Sequence, residues 1–163
     1  MLHDQAGLKV LDLDTAMKNL RQVIRDSRQR EEAAHRQILA GIEWFTAEQI
    51  NAHQKNPPAD KQQPARDWKK HRLIFSLTLD NTEYFAAYQF DAMYQPLPVI
   101  RDILAVFGER FDSWSIAAWF HFPNGWISGA GDHEDEALAP MHALDRPDDL
   151  LRAVQQMHGS YVA

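Results

Sequence analysis

The pattern of apolar and polar positions at the start of the chain predicts one long helix, from Leu13 to about Gly41. No proline or glycine interrupts it, Asp12 or Asp14 stands where an N-cap belongs, and Gly41 stands at the C-cap. Residues 25–32 are polar on every face, so the helix needs support from a partner chain in a dimer or from its own protein's core. The apolar positions that share a face are Leu13, Met17, Leu20, Ile24 and, after a gap, Ile38.

The middle of the chain predicts two short helices joined by a long, proline-rich connection. Thr46 can cap the first helix, with Gln49 three residues later at the capping-box position. Residues 56–64, NPPADKQQP, break regular structure, and Pro64 restarts a helix near the first-turn position that proline tolerates. The basic side chains on and just after this second helix are Arg66, Lys69, Lys70 and Arg72.

A β-hairpin and a further helix are predicted next. Apolar and polar residues alternate over Ile74–Leu79, Asp80-Asn81 supplies a turn, and Tyr84–Tyr88 returns as the second strand. The helix covers Val99–Phe107 and has apolar residues at helical spacing. Those residues are Ile100, Ile103, Leu104 and Phe107.

The last third of the chain predicts two more helices separated by turns and loops. Ser113 can cap a helix over 114–120, and the Pro-Asn-Gly sequence at 123–125 is typical of a turn with positive φ. Residues 128–140 are small or acidic and predict a loop. A final helix then begins at Asp145-Arg146-Pro147 and runs through Met157.

These elements predict a mainly α fold with one β-hairpin, in three segments. We expect a long N-terminal helix with a dimerisation role over 1–43, and a degenerate helix-turn-helix-like or winged unit with the hairpin over 44–91. A small helical C-terminal domain follows over 92–163. The length of 163 residues, 45% of them hydrophobic, is enough for a real core.

Composition removes several classes of site. The chain has no cysteine, which excludes disulfides, cysteine-ligated zinc, iron–sulfur clusters and a thiol nucleophile. Its first 17 residues lack a basic region followed by an apolar run, and no 18 apolar residues stand together. We therefore expect a cytoplasmic protein that has no membrane partner.

Charge is divided unevenly along the chain. The net charge of −6 argues against a general polyanion binder. Residues 1–72 nevertheless carry a net +3 and residues 73–163 a net −9. Two interpretations stay open: surface charge that drifts without meaning, or a first half that tolerates phosphates and an acidic second half that suits a basic protein partner.

Histidines supply the only candidate chemistry for metal binding or catalysis. His133 stands beside acidic residues within the acidic insertion 131–136, but adjacent loop positions rarely converge on one ion. His133 and His142 with Asp145 suggest a base and its orienting group, yet no serine occupies a context that would activate it. We therefore expect no metal site, no cofactor and no enzymatic activity.

Aromatic residues concentrate in a short stretch near the predicted turn at 123–125. Most of them are expected in the core, because aromatic side chains dominate both cores and interfaces. Trp126 is the one favoured to stay partly exposed, owing to its turn position. The five are Trp114, Trp119, Phe120, Phe122 and Trp126.

The second half of the chain resembles the toxin-binding domain of Xre/MbcA/ParS antitoxins, which are the partners of RES-domain toxins. The similarity in order and spacing covers roughly residues 84–160. The segments that carry it are YFAAYQFD at 84–91, PLP at 96–98, DSWSIAAWFHFPNGWISG at 112–129, PMHAL at 140–144 and residues 148–154.

The resemblance implies an antitoxin whose C-terminal domain occludes the active site of a RES-type toxin. Such toxins consume NAD, and the antitoxin itself needs neither a cofactor nor a catalytic residue. The long N-terminal helix, and not the resemblance, makes a homodimer the expected assembly. The partner-binding residues that the resemblance implies are Pro123, Asn124, Gly125, Trp126, Asp148, Asp149, Arg152 and Tyr161.

The alternative is a DNA-binding transcriptional regulator, or an orphan relative without a toxin. Some members of the family also repress their own operon, so operator DNA is a second candidate partner. Here the connection Asn51–Gln63 is far longer than the turn of an ordinary DNA-reading unit, which weakens groove reading. The residues that would meet phosphates are Arg66, Lys69, Lys70 and Arg72.

Overall fold

The first element of the fold is a single long helix, α1 (Leu2–Ala40). A computed structural model of the chain describes the backbone of residues 2–162 and the side chains of residues 12–157. The helix was predicted, but its start was placed too late: neither Asp12 nor Asp14 is its N-cap. The helix continues through Gly7, because one internal glycine costs only about 1 kcal/mol. Residues up to Gln37 form one unit, and the chain from Ile38 onward forms another.

The second unit contains a three-stranded antiparallel sheet that includes the predicted hairpin. Strands β1 (Trp44–Phe45), β2 (Leu77–Leu79) and β3 (Thr82–Ala86) are arranged in the order β1-β3-β2. The turn between β2 and β3 consists of two residues in the left-handed region, Asp80 at φ 48° and Asn81 at φ 63°. Both residue types tolerate positive φ, so the predicted turn is confirmed.

Two short helices follow the pattern predicted for the middle of the chain. Helix α2 (Ala47–Ala52) begins at Thr46, whose side chain accepts from the backbone N–H of Gln49. The Gln49 side chain in turn accepts from the backbone N–H of Thr46, which completes the predicted capping box. Helix α3 (Ala65–Lys70) follows Pro64.

The remaining helices lie in the C-terminal half. They are α4 (Pro98–Phe107), α5 (Ser113–His121) and α6 (Pro147–Val162). The predicted cap of α5 was wrong by one residue, because the side chain of Asp112, not of Ser113, accepts from the backbone N–H of Ser115. Single turns of 3-10 helix cover Ala87–Gln89, Gly108–Arg110, Gly131–His133 and Pro140–His142.

The predicted turn at 123–125 is instead the start of a strand. Strand β4 (Asn124–Ser128) pairs antiparallel with β5 (Ala137–Leu138), so the loop predicted over 128–140 contains a small second sheet. Gly125 is not in the left-handed region. The Asn124 side chain does accept from the backbone N–H of Trp126, so the local bend uses a side chain and not positive φ.

Buried side chains from the predicted middle and C-terminal segments belong to one cluster. The rings of Phe75 and Phe120 stack with centroids 5.7 Å apart, and Leu77 and Ile103 are fully buried with them. A smaller cluster lies between the three-stranded sheet and helices α2 and α3. The mainly α class with small β elements is confirmed. Within the described chain, no helix is long and apolar enough to cross a membrane.

Candidate partner-binding site

Trp126 is an exposed aromatic side chain in the C-terminal half of the described residues. Its side chain is 62% exposed, whereas the next residue on β4, Ile127, is buried in the core. This alternation is what a half-buried strand imposes, with successive side chains on opposite faces. Trp114 and Trp119 instead pack against the core. The prediction that Trp126 remains exposed is confirmed.

Strand β4 is held against the start of helix α6 by one arginine. The Arg146 side chain donates to the backbone carbonyl of Ser128 at 2.7 Å and to the Asp149 carboxylate at 2.7 Å. Asp149 also pairs with Arg152 at 3.5 Å. A carboxylate in the first turn of a helix is favourable there, since it faces the positive end of the helix dipole. Sequence reasoning missed the role of Arg146, although an arginine three residues before an aspartate was its visible signal.

The structure brings most of the predicted partner-binding residues onto two neighbouring elements. Pro123, Gly125 and Trp126 are exposed on or next to β4, and Asp148 and Arg152 are exposed on α6, which contacts β4. Two others, Asn124 and Asp149, are half-buried. The side chain of the eighth, Tyr161, lies outside the described residues. We refer to residues 123–126 together with 148–152 as the β4–α6 face.

An open cleft of about 440 Å³ is built from strand β5, the loop that precedes it and the segment that leads into α6. The acidic insertion 131–136 contributes one wall through His133 and Glu136, whose side chains lie 3.0 Å apart. Gly129 allows the loop to close, because a side chain there would meet the His133 carbonyl oxygen. The lining residues are Gly129, Ala130, His133, Glu136, Ala137, Leu138, His142, Asp145 and Arg146.

The structure places His133, His142 and Asp145 around this same cleft, although sequence reasoning expected no site from them. Its lining offers imidazole, carboxylate and guanidinium groups for hydrogen bonds but no serine, threonine or lysine that a base could activate. Among the described side chains, no group of three or more metal-ligating residues is arranged to hold an ion. The cleft next to the β4–α6 face is therefore lined mainly by apolar surface, with a few groups that can form hydrogen bonds.

Protonation of His121 is disfavoured in the folded protein. Partial burial is the first cause of its lowered pKa, and the nearby His142 is the second. Its Nδ1 atom is buried and has no hydrogen-bond partner within the described residues. The unfolded chain therefore binds this proton more tightly, so acid shifts the folding equilibrium toward the unfolded state.

We expect the free energy of unfolding to fall as the pH drops from about 6.5, the ordinary histidine pKa, through the lowered pKa of His121. One proton contributes at most about 1.4 kcal/mol per pH unit. The variant His121→Gln should lose part of this acid sensitivity, because glutamine does not titrate. Urea unfolding of both proteins across this pH range measures the difference, and two parallel pH curves would contradict the prediction.

The basic residues proposed for phosphate contact are largely engaged within the protein. Arg66 pairs with Asp60 at 3.1 Å, and Lys69 pairs with Glu83. Lys70 is exposed on the same short helix. Ion pairs of this kind lower the charge that α3 presents to a polyanion, because each cation already has a carboxylate beside it.

Arg72 has a structural role at the end of helix α4. Its guanidinium donates to the backbone carbonyls of Leu104 and Gly108, the latter at 2.9 Å. Carbonyls at a helix C-terminus have no partner within the helix, and a cation there also faces the negative end of its dipole. The four predicted phosphate ligands therefore do not form one free basic patch.

Comparisons of this chain with protein-family models, with curated proteins and with solved structures found no match.

Proposed function

We propose that this protein is an antitoxin-like inhibitor that binds a RES-type toxin through its β4–α6 face and occludes the toxin's active site. The observation that carries the proposal is Trp126, an aromatic side chain 62% exposed on β4, directly before Ile127, which is buried in the core. Tryptophan, tyrosine and arginine are the residues most enriched at binding hot spots. The resemblance of residues 84–160 to the antitoxin family supplies the toxin class.

The chemistry of the face supports a basic or polar partner surface. The second half of the chain carries a net −9, Asp148 is exposed on α6, and Glu136 and Asp145 line the neighbouring cleft. An acidic patch around an aromatic contact favours fast association with a basic surface. Inhibition by occlusion needs no cofactor and no catalytic residue, and the proposal places both proteins in the cytoplasm.

The test is co-expression of this chain with each adjacent open reading frame, followed by a growth assay and a pull-down. We expect one neighbour to be toxic alone, to co-purify with this chain, and to be silenced by it. Deleting α6 is unsuitable as a probe, because Leu150, Ala153 and Val154 of that helix are fully buried. Point variants on the exposed face avoid this problem.

Trp126→Ala is expected to abolish rescue of growth and to weaken toxin binding by about 30-fold or more, the loss of one hot-spot side chain. Met93→Ala is the matched control, since Met93 is 68% exposed but lies outside the β4–α6 face. Full rescue by both variants would contradict the assignment of the face. If no neighbour is toxic or binds, duplex binding across a salt series becomes the test of the DNA-binding alternative.

A further inference from the structure

Helix α1 carries a row of apolar side chains that are exposed in the described chain. Leu13 and Leu20 are 66% and 53% exposed, and Met17 and Ile24 complete the row. The four follow one another at spacings of four, three and four residues, which is the repeat of a coiled-coil seam. The next seam position is Ser27, followed by Glu31, so the apolar row ends at Ile24.

Charges beside this row are divided by sign along the helix. At the flanking position that directly follows a seam leucine, Asp14 stands toward the N-terminal end of the row and Arg21 toward its C-terminal end. Asp14 and Arg21 occupy equivalent places, each directly after a leucine of the seam. A second helix that runs in the opposite direction therefore sets Asp14 beside Arg21 of the other copy. A parallel second helix sets Arg21 beside apolar or basic positions instead.

We infer that α1 pairs with α1 of a second copy of this chain as an antiparallel coiled coil centred between residues 18 and 19. In this register Leu13 packs against Ile24 of the other copy and Met17 against Leu20, each twice. Asp14 and Arg21 of the other copy then differ by about 3 Å along the axis, at 1.5 Å of rise per residue. The inference does not depend on the proposed toxin.

Two neighbouring registers are disfavoured by the same positions. If the centre of the helix pair moves half a heptad toward the N-terminus, Asp14 lies beside Asp14 of the other copy, and the two carboxylates repel each other. If the centre of the helix pair moves half a heptad toward the C-terminus, the polar residues Ser27 and Glu31 lie against Met17 and Leu13 of the other copy. Val23 is exposed and lies on the other side of the seam from Asp14 and Arg21. In the central register it meets Ala16 of the other copy, so an apolar contact forms there.

The first test is the mass of the full chain by analytical ultracentrifugation in a dilution series at low salt. We expect a dimer that dissociates on dilution. Leu20→Asp should give a monomer at every concentration, because it places a carboxylate in the seam, and Gln29→Asp on the opposite face should leave the dimer intact. A wild type that is always monomeric, or a Leu20→Asp variant that still dimerises, would overturn the inference.

The second test determines the direction of pairing. Asp14→Arg and Arg21→Asp should each weaken dimerisation by about tenfold, and the double variant should recover it, because the pair is restored with its signs exchanged. Because the chain has no cysteine, Gln29→Cys can carry a single spin label. Two labels separated by about 32 Å along the axis support the antiparallel pair. Labels at the same level along the axis, separated only across the two helices by about 20–24 Å, or a double variant without recovery, would overturn it.

Discussion

Replacement of Gln89 with methionine is expected to lower the free energy of unfolding by about 2–4 kcal/mol. Gln89 is fully buried, and its amide replaces a neighbouring strand for one residue of the chain. Its Oε1 accepts from the backbone N–H of Phe75 at 2.8 Å, and its Nε2 donates to the Phe75 carbonyl at 3.0 Å. Methionine has a similar length but leaves both backbone groups buried without partners.

Urea unfolding measures this change as a lower midpoint at an unchanged slope. Gln155→Met is the matched control, because Gln155 is exposed on α6 and the same substitution there should change the free energy by less than about 0.5 kcal/mol. Equal stabilities of the Gln89 and Gln155 variants would contradict the role assigned to the buried amide. In the fold, the backbone next to Phe75 is therefore held by the Gln89 side chain and not by pairing with a neighbouring strand.

Local signals explain why much of the fold could be predicted from the sequence. The capping box at Thr46 and the two-residue turn at Asp80 and Asn81 each depend on neighbours within three residues. Strand β1 depends on a distant partner instead, since Trp44 pairs with Ala86. A strand of only two residues shows no alternation of apolar and polar positions, so no local pattern could have revealed β1. The same holds for Gln89, whose partner is 14 positions away.

The candidate site shows the same division between local and distant information. The exposure of Trp126 could be predicted, although for the wrong local structure: it follows from the alternation of β4 and not from a turn. The cleft could not be predicted, because it needs β5, the loop before it and the segment before α6 to meet. The predicted phosphate ligands failed to form a patch for a similar reason. Their carboxylate and carbonyl partners, such as Glu83 and Gly108, lie 14 and 36 residues away.

Asn51 is the second position where we expect a large effect, because it organises the connection between α2 and α3. Its side chain is buried, and Nδ2 lies within hydrogen-bond distance of three backbone carbonyls. These are Pro58 at 2.9 Å, Asp60 at 3.2 Å and Gln63 at 2.8 Å. One amide thus orders the proline-rich segment, which has the composition of a loop without regular structure.

Asn51→Asp is expected to lower the free energy of unfolding by about 3–5 kcal/mol at neutral pH, because a buried carboxylate replaces a donor opposite three acceptors. The loss should shrink as the pH falls, since burial raises the pKa of the introduced carboxyl group and its neutral form can donate again. Urea unfolding at two pH values measures both effects. Limited proteolysis of residues 53–64 reports separately on the order of the connection.

The matched control for this prediction is Asn56→Asp, the same change of charge at an exposed position of the same connection. It should alter the free energy of unfolding by less than about 0.5 kcal/mol. If both variants have the stability of the wild type, the connection is not held by Asn51. If Asn51→Asp alone unfolds the connection while the core remains folded, the spacing of α2 and α3 is set by this one side chain. In that case the long connection holds α2 and α3 in a fixed geometry and is not a flexible link between them.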